Sequence, residues 1–366
     1  MNSFIRLKNI LFFILFFTFF KVTLAQSFDR LYEQTSKLVD EDKYQKAFDQ
    51  GLALDNLGSE NNNNLQISKA NYLIAKAFKK QENYLQTIKY ATKSFDFAET
   101  EQDLEYQIKS GELLAWAYVY IGFYDEANII LTKLSDFSAN YKGDNKHFLK
   151  YKILYRQASL MRKKEEKPKQ ILQIYFQALD EIKQFNFKNN LYQKNENFLS
   201  LYNNIGLTYK SINIDSAFHY YEKAYQHRDI NDARGIADLE TNLASYYVNK
   251  NENKKAISLL NESIPTLIKS DHKFLTAESY KVLSEAYKKD GNAEKSLEYN
   301  TLYLTYKDSL NLKRNQSVNE AVEYLKKINH KENNETQNSP NFYMIFGIIA
   351  VLILALLFVL KKKKTA

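Results

Sequence analysis

One spacing recurs along this chain and leaves few folds open to it. In "ELLAWAYVYIGFYDEANIILTKL", which begins at Glu112, the residues Leu114, Ala115 and Tyr118 share one helical face. Gly122 and Tyr124 then mark a turn, and Ala127, Leu131 and Leu134 line a second helix. Counted from Ile108, these are positions 7, 8, 11, 15, 17, 20, 24 and 27. Counted from Ala237, the same frame holds Leu243, Ala244, Tyr247, Ala256, Leu260 and Ser263. Around Lys69 it holds Ile74, Ala75, Phe78, Tyr84, Thr87, Ala91 and Ser94. Small residues at positions 8, 20 and 27 let paired helices approach closely, while large ones at 7, 11 and 24 fill the space between them. Each pair then buries its apolar face only against its neighbours. Three prolines and nine glycines in the whole chain argue against a turn-rich β fold.

The frame resembles the tetratricopeptide repeat, a helix-turn-helix unit. Two further copies fit. From Ala277 come Leu283, Ser284, Tyr287 and Ser296, with Asn300 departing from a large residue; from Leu199 come Ile205, Gly206, Tyr209, Ala217, Tyr221 and Ala224, after a turn one residue short. Two weaker copies are inferred from register. One near Tyr151 has Ala158, Ile171, Tyr175 and Ala178 with an insertion around Pro168, and one near Phe28 has Tyr44, Ala47, Gly51 and Leu54. The expected fold is an all-α solenoid of about seven repeats over residues 28–310. "SENNNN", Ser59 to Asn64, reads as a loop between the first two units. An amphipathic helix over 311–330, with Val318, Val322, Leu325 and Ile328 spaced three or four apart, reads either as a cap or as a short dimerising stalk, and so leaves a homodimer open. A polar linker follows over 331–341.

Both ends point to a membrane. Residues 1–25 carry Arg6 and Lys8, the apolar run Ile10 to Phe20, and Thr23-Leu24-Ala25, the order of a secretory signal peptide; an uncleaved N-terminal anchor is the alternative. Residues 342–360 are 19 uncharged, mostly apolar residues, about 28 Å as a helix and enough to span a hydrocarbon core. Lys361, Lys362, Lys363 and Lys364 follow at once, in the tail 361–366, and favour the cytoplasmic side. The solenoid is therefore expected on the outer, periplasmic face of a bacterial inner membrane, held by a single span. These four lysines with Arg6, Lys8 and Lys21 explain the formal charge of +8: without them 44 basic residues face 43 acidic ones. The basicity thus reports topology and does not argue for nucleic acid. Cysteine is absent, which excludes disulfides, thiolate catalysis and cysteine zinc sites.

No phosphate loop, dinucleotide turn, metal-binding histidine pair or serine-nucleophile motif occurs, and the five histidines lack ligand spacing. Asp40-Glu41 and Glu165-Glu166 read as solvated acids at helix turns. No enzyme, cofactor or metal is expected. The repeat resemblance implies a concave binding surface lined by positions 2, 5, 9, 12 and 13 of each first helix. On these positions the candidate groove residues are Lys69, Tyr72, Lys76 and Lys80, then Lys109, Trp116 and Tyr120, then Tyr155 and Arg162. Cations beside aromatic rings suit an acidic peptide or carboxylate. The bland alternative is a solvated groove in a lysine-rich chain, with Trp116 packed on the preceding helix. The order of segments, including "TYKDSLNLKRNQ", also resembles bacterial membrane-anchored repeat proteins that often carry a cytoplasmic helix-turn-helix or histidine kinase output. The expected function is a tethered scaffold for a protein or peptide; the alternative is a sensory component that signals through a separate membrane regulator or kinase.

Overall fold

The computed structural model describes residues 28–337, apart from 189, 230, 231, 270 and 271. The predicted signal segment, the apolar stretch 342–360 and Lys361 to Lys364 lie outside the described residues. Among the described residues, no helix is long and apolar enough to cross a membrane.

Those residues form fourteen helices and no strand, paired in the predicted register. The first pair is α1 (28–40) with α2 (Tyr44–Glu60), followed by α3 (Asn64–Lys80) with α4 (Tyr84–Thr100) and α5 (Leu104–Ile121) with α6 (Tyr124–Asn140). Next come α7 (Lys146–Lys163) with α8 (Pro168–Gln184) and α9 (Leu191–Tyr209) with α10 (Ile214–Tyr225). The last two pairs are α11 (Ala233–Asn249) with α12 (Asn253–Lys269) and α13 (Lys273–Lys289) with α14 (Ala293–Gln337). The chain divides into two compact units at residue 315. The first holds the seven pairs; the described part of the second is the remainder of α14.

Many turns share one chemistry. A three-residue link places its middle residue in the left-handed region, at Asp42, Asn62, Glu82, Gln102 and Asn251, and Gly122 serves the same purpose in the third repeat. The third residue is often Asn or Asp and caps the next helix. Asn63 accepts from the Gln66 amide at 3.0 Å, Asn83 from Gln86 at 3.1 Å and Asp103 from Tyr106 at 2.8 Å. The asparagine run after Ser59 is therefore a helix end, a tight turn and a cap, and the irregular part is only 61–63.

Small residues sit where helices meet. Ser68 and Ser94 hydroxyls donate to each other's backbone carbonyls at 2.8 and 2.9 Å, and Ser284 donates to the Ser296 carbonyl at 2.8 Å. Gly206 lies against the Tyr221 ring so closely that a Cβ would meet a ring carbon at 2.5 Å. Between repeats, Tyr151, Tyr175, Ile205, Tyr221 and Leu243 belong to one continuous core. Two expectations shift. Instead of a separate helix over 311–330 and a linker after it, α14 runs unbroken from the seventh repeat to Gln337, because no proline or glycine interrupts 293–337. Asp40 is not a free solvated acid, since it accepts from Lys76 Nζ at 2.7 Å.

Candidate functional site

The first helices of the pairs place their inner-face side chains toward one another, and the candidate residues fall into three groups. The first is a tyrosine cluster. Tyr32 and Tyr106 share a hydroxyl hydrogen bond of 2.9 Å, and the Tyr72 ring meets Tyr106 edge-on at 5.8 Å. Lys109 Nζ stands 4.5 Å from the Tyr106 centroid while paired with Glu105 at 2.6 Å, and Lys69 lies over the same ring at 5.8 Å. Burial pushes the Tyr72 and Tyr106 hydroxyls well above the usual phenol range, so both stay protonated.

The second group is a buried charge cluster. Arg156 donates through Nε and Nη2 to Glu112 Oε1 at 3.0 and 2.5 Å, and Lys79 Nζ reaches Glu112 Oε2 at 3.4 Å. Glu112 is 6% and Arg156 5% exposed. Burial alone would raise the Glu112 carboxyl, but Lys79, Arg156 and Lys152 together hold it far below the carboxylate range. Burial pushes Lys79 down to about 7, with the neighbouring Arg156 and Lys152 charges adding to the effect against Glu112. Trp116 is 6% exposed and packs on Tyr84 of α4 at 5.4 Å and Tyr120 at 5.0 Å, with Lys79 over its ring. It is a core residue of the groove wall rather than a free platform.

The third group crosses the groove. Lys80 of α3 donates to Glu196 of α9 at 2.9 Å, and Arg234 of α11 donates to Glu82 in the turn after α3 at 2.6 Å. Beside these pairs Asp232 caps α11 by accepting from the Gly235 amide at 2.9 Å. Burial, then the nearby Glu196 charge, raises its carboxyl to about 6. Further along the wall, Tyr155 accepts from Asn204 at 2.8 Å, and Arg162 has Tyr120, Tyr155, Tyr175 and Asp238 as its electrostatic neighbours.

All nine candidates lie on α3, α5 and α7. Position counting does not reach Arg156, Glu196, Arg234, Asp232 or Asp238, which the fold adds to the same surface. The pairs Lys80–Glu196 and Arg234–Glu82 join residues 116 and 152 apart in the chain, a separation that leaves no local signal. Two half-buried histidines already have partners in the fold: His227 stacks on Phe198 at 5.0 Å, and His147 shares a hydrogen bond of 2.8 Å with Glu181. Among the described residues, no group of three His, Asp or Glu side chains is placed to hold a metal ion.

No protein-family model and no curated protein sequence matches this chain. Solved structures do. The apo quorum sensor NprR from B. thuringiensis is 19% identical with a TM-score of 0.58, covering 77% of each chain. The Rap conjugation gene regulator of plasmid pLS20, solved in complex with the Phr peptide, is 15% identical with a TM-score of 0.61, covering 79% of this chain and 76% of that one. A signal transduction ATPase from Pyrococcus horikoshii with a tetratricopeptide repeat sensor is 16% identical with a TM-score of 0.50, over 72% of this chain and 38% of that one. The fold is a tetratricopeptide-repeat solenoid. At these identities the likeness is one of architecture, and it extends over the helix pairs that carry the groove. In this solenoid the inner wall is built from cation–ring contacts and ion pairs, the side-chain types that bind polar extended chains in a groove.

Proposed function

We propose that this solenoid is a non-enzymatic scaffold whose groove holds an extended peptide or a peptide-like segment of a protein. One observation carries the reading. Lys80 and Glu196, and likewise Arg234 and Glu82, meet directly across the groove. The walls at that rim approach to the combined reach of two side chains, so a segment entering there displaces these pairs and must be extended, because a folded domain cannot pass. The peptide held by the Rap regulator, a protein of the same architecture, supports the same class of ligand. An incoming peptide exchanges its own charges and rings for the contacts that Lys69, Lys109 and Lys163 make with Tyr106, Tyr72 and Tyr120.

We further propose that the solenoid sits at the outer face of a bacterial cytoplasmic membrane, tethered through 342–360 with the lysine tail inside. This rests on the sequence pattern of those segments. A photo-crosslinking residue placed at Lys69 should capture peptide-sized adducts in native membranes, while one at Ile129, which is exposed on α6, should not. Equal capture from both positions rejects the groove. The chain has no cysteine, so single cysteines introduced at Ile129 and Lys363 report topology cleanly. Only the first should react with a membrane-impermeant maleimide on intact cells stripped of their outer membrane. The continuity of α14 favours a second reading, in which the groove reports to a membrane partner. Tyr299, Leu302, Tyr303 and Tyr306 pack into the seventh-repeat core, and the same helix continues to Gln337. Ligand-dependent crosslinking from 342–360 to another membrane protein tests it.

A further inference from the structure

We propose that α14, the last helix of the solenoid, carries a docking face for a second copy of this chain. Each earlier second helix packs against the first helix of the next pair. The residues that follow positions 20 and 27 of the frame record that packing. They are Ile88 and Phe95 in the second repeat, Leu172 and Leu179 in the fourth, and Ile257 and Ile264 in the sixth. Ile88, Phe95, Leu172, Leu179 and Ile264 are buried, and Ile257 and Ile264 pack in one core with Tyr280 and Leu283 of α13. Polar residues replace one or both in the first and third repeats, and Tyr225 ends the short α10 of the fifth. In the seventh repeat the same places hold Leu297 and Leu304, which are 68% and 45% exposed.

The exposed leucines form a stripe. Tyr299, Leu302, Tyr303 and Tyr306 turn the other side of α14 into the seventh-repeat core. Leu297, Thr301, Leu304, Asp308 and Leu312 follow one another at three- and four-residue spacing and share one face. Leu312 is 73% exposed, and Thr301 and Asp308 are exposed as well. Among the described residues, no other helix exposes three large apolar side chains. A contiguous apolar stripe on the surface marks a place of interaction more than scattered single leucines do.

The stripe selects its occupant. The apolar segment 342–360 does not reach it: about 37 Å of helix separates Leu312 from Gln337, and 19 residues make only about 28 Å when helical, even doubling straight back. A second copy fits because the stripe matches itself, which a two-fold interface requires. With two α14 helices antiparallel about a point between Leu304 and Thr305, Leu297 stands opposite Leu312 of the second copy. Thr301 then stands opposite Asp308, and Leu304 beside Thr305. A parallel pair would instead set Asp308 against its own copy in the middle of the stripe, a like-charge contact that opposes association.

The test uses the full chain in mild detergent, where it should sediment as a dimer. Leu304→Arg should halve the protein mass of that particle while leaving the helical circular dichroism and the Tm unchanged, because the side chain is exposed in the single copy. The chain has no cysteine of its own, so the register can be read directly. Leu297→Cys and Leu312→Cys, separately tagged and produced together, should on mild oxidation form a disulfide with each other several times more often than either does with itself. A monomeric parent chain overturns the proposal. A dimer that survives Leu304→Arg also overturns it, and assigns the association to another surface. Disulfides of Leu297→Cys with itself, and none between the two variants, overturn the antiparallel face. Capture of a different protein, and no second copy, by a photo-crosslinking residue at Leu304 in native membranes overturns the choice of partner.

Discussion

The second to fourth repeats and the seventh carry the same frame and similar charges at the same inner positions, yet the two regions treat those charges oppositely. In α3, α5 and α7 the charges are drawn inward: Glu112 and Arg156 are buried together, and Lys80 is locked to α9. In α13 the matching positions hold Lys281, Glu285, Lys288 and Lys289, and all four are exposed. Lys281 lies over Tyr303, and Lys289 donates to the Val248 carbonyl, but no acid pairs with either among the described residues. Position within the repeat therefore does not decide what a groove charge does. What decides it is whether another repeat lies opposite, because desolvation by a facing wall makes pairing necessary and strong, whereas open solvent screens it.

That contrast can be broken most forcefully at Arg156. Replacing it by Ala leaves Glu112 buried with weakened compensation and should cost about 3–5 kcal/mol in chemical denaturation. Lys288→Ala, in the seventh repeat, should stay within about 0.5 kcal/mol. Equal losses would show that the facing wall has no special effect.

The next test is one of pH. The Asp232 carboxyl is raised to about 6 in the folded protein against 3.8 for the free side chain, so the folded state holds its proton more tightly. Its contribution is fully present below pH 3.8 and is lost as pH rises through about 6. Asp232→Asn keeps a competent helix cap and removes the charge. It should add on the order of 1–3 kcal/mol at pH 7.5 and almost nothing near the acid end of that window. A uniform gain at every pH would place the effect elsewhere.

The cross-groove pairs are partly exposed, so Glu82→Gln with Glu196→Gln should cost only about 1 kcal/mol in stability. The sensitive readout is shape. Spin labels on α3 and α9 should move apart in the double variant, and in the parent chain as salt is raised. Labels on α11 and α13 should not respond. The smallest expected effect concerns the turns. Gln102 sits at φ 55° without a glycine's freedom, and Gln102→Gly should stabilise by about 0.5–1 kcal/mol in thermal unfolding.

Much of the architecture was legible because it is local. The frame positions Leu114, Ala115, Ala127, Leu131 and Leu134 pack where helical spacing predicts, and the seven pairs follow from it. The asparagine-rich links were legible only in part: Asn63 and Asn83 as helix caps could have been read from their place before a periodic run. The length of α14 was not legible as one element, because its second half changes from solenoid packing to a weakly apolar pattern without any helix-breaking residue.

For the groove, three- and four-residue spacing alone assigns Lys69, Tyr72, Lys76, Lys80, Lys109, Trp116, Tyr120, Tyr155 and Arg162 to one face of their helices. What they meet there is set by the packing of whole repeats. It buries Trp116 against Tyr84 and neutralises Lys80 with a residue 116 positions away. The reason is geometric. Each repeat packs on its neighbour with a small rotation, and those rotations add up across several units, so the wall that faces a given side chain is set by their sum and by no single spacing in the chain.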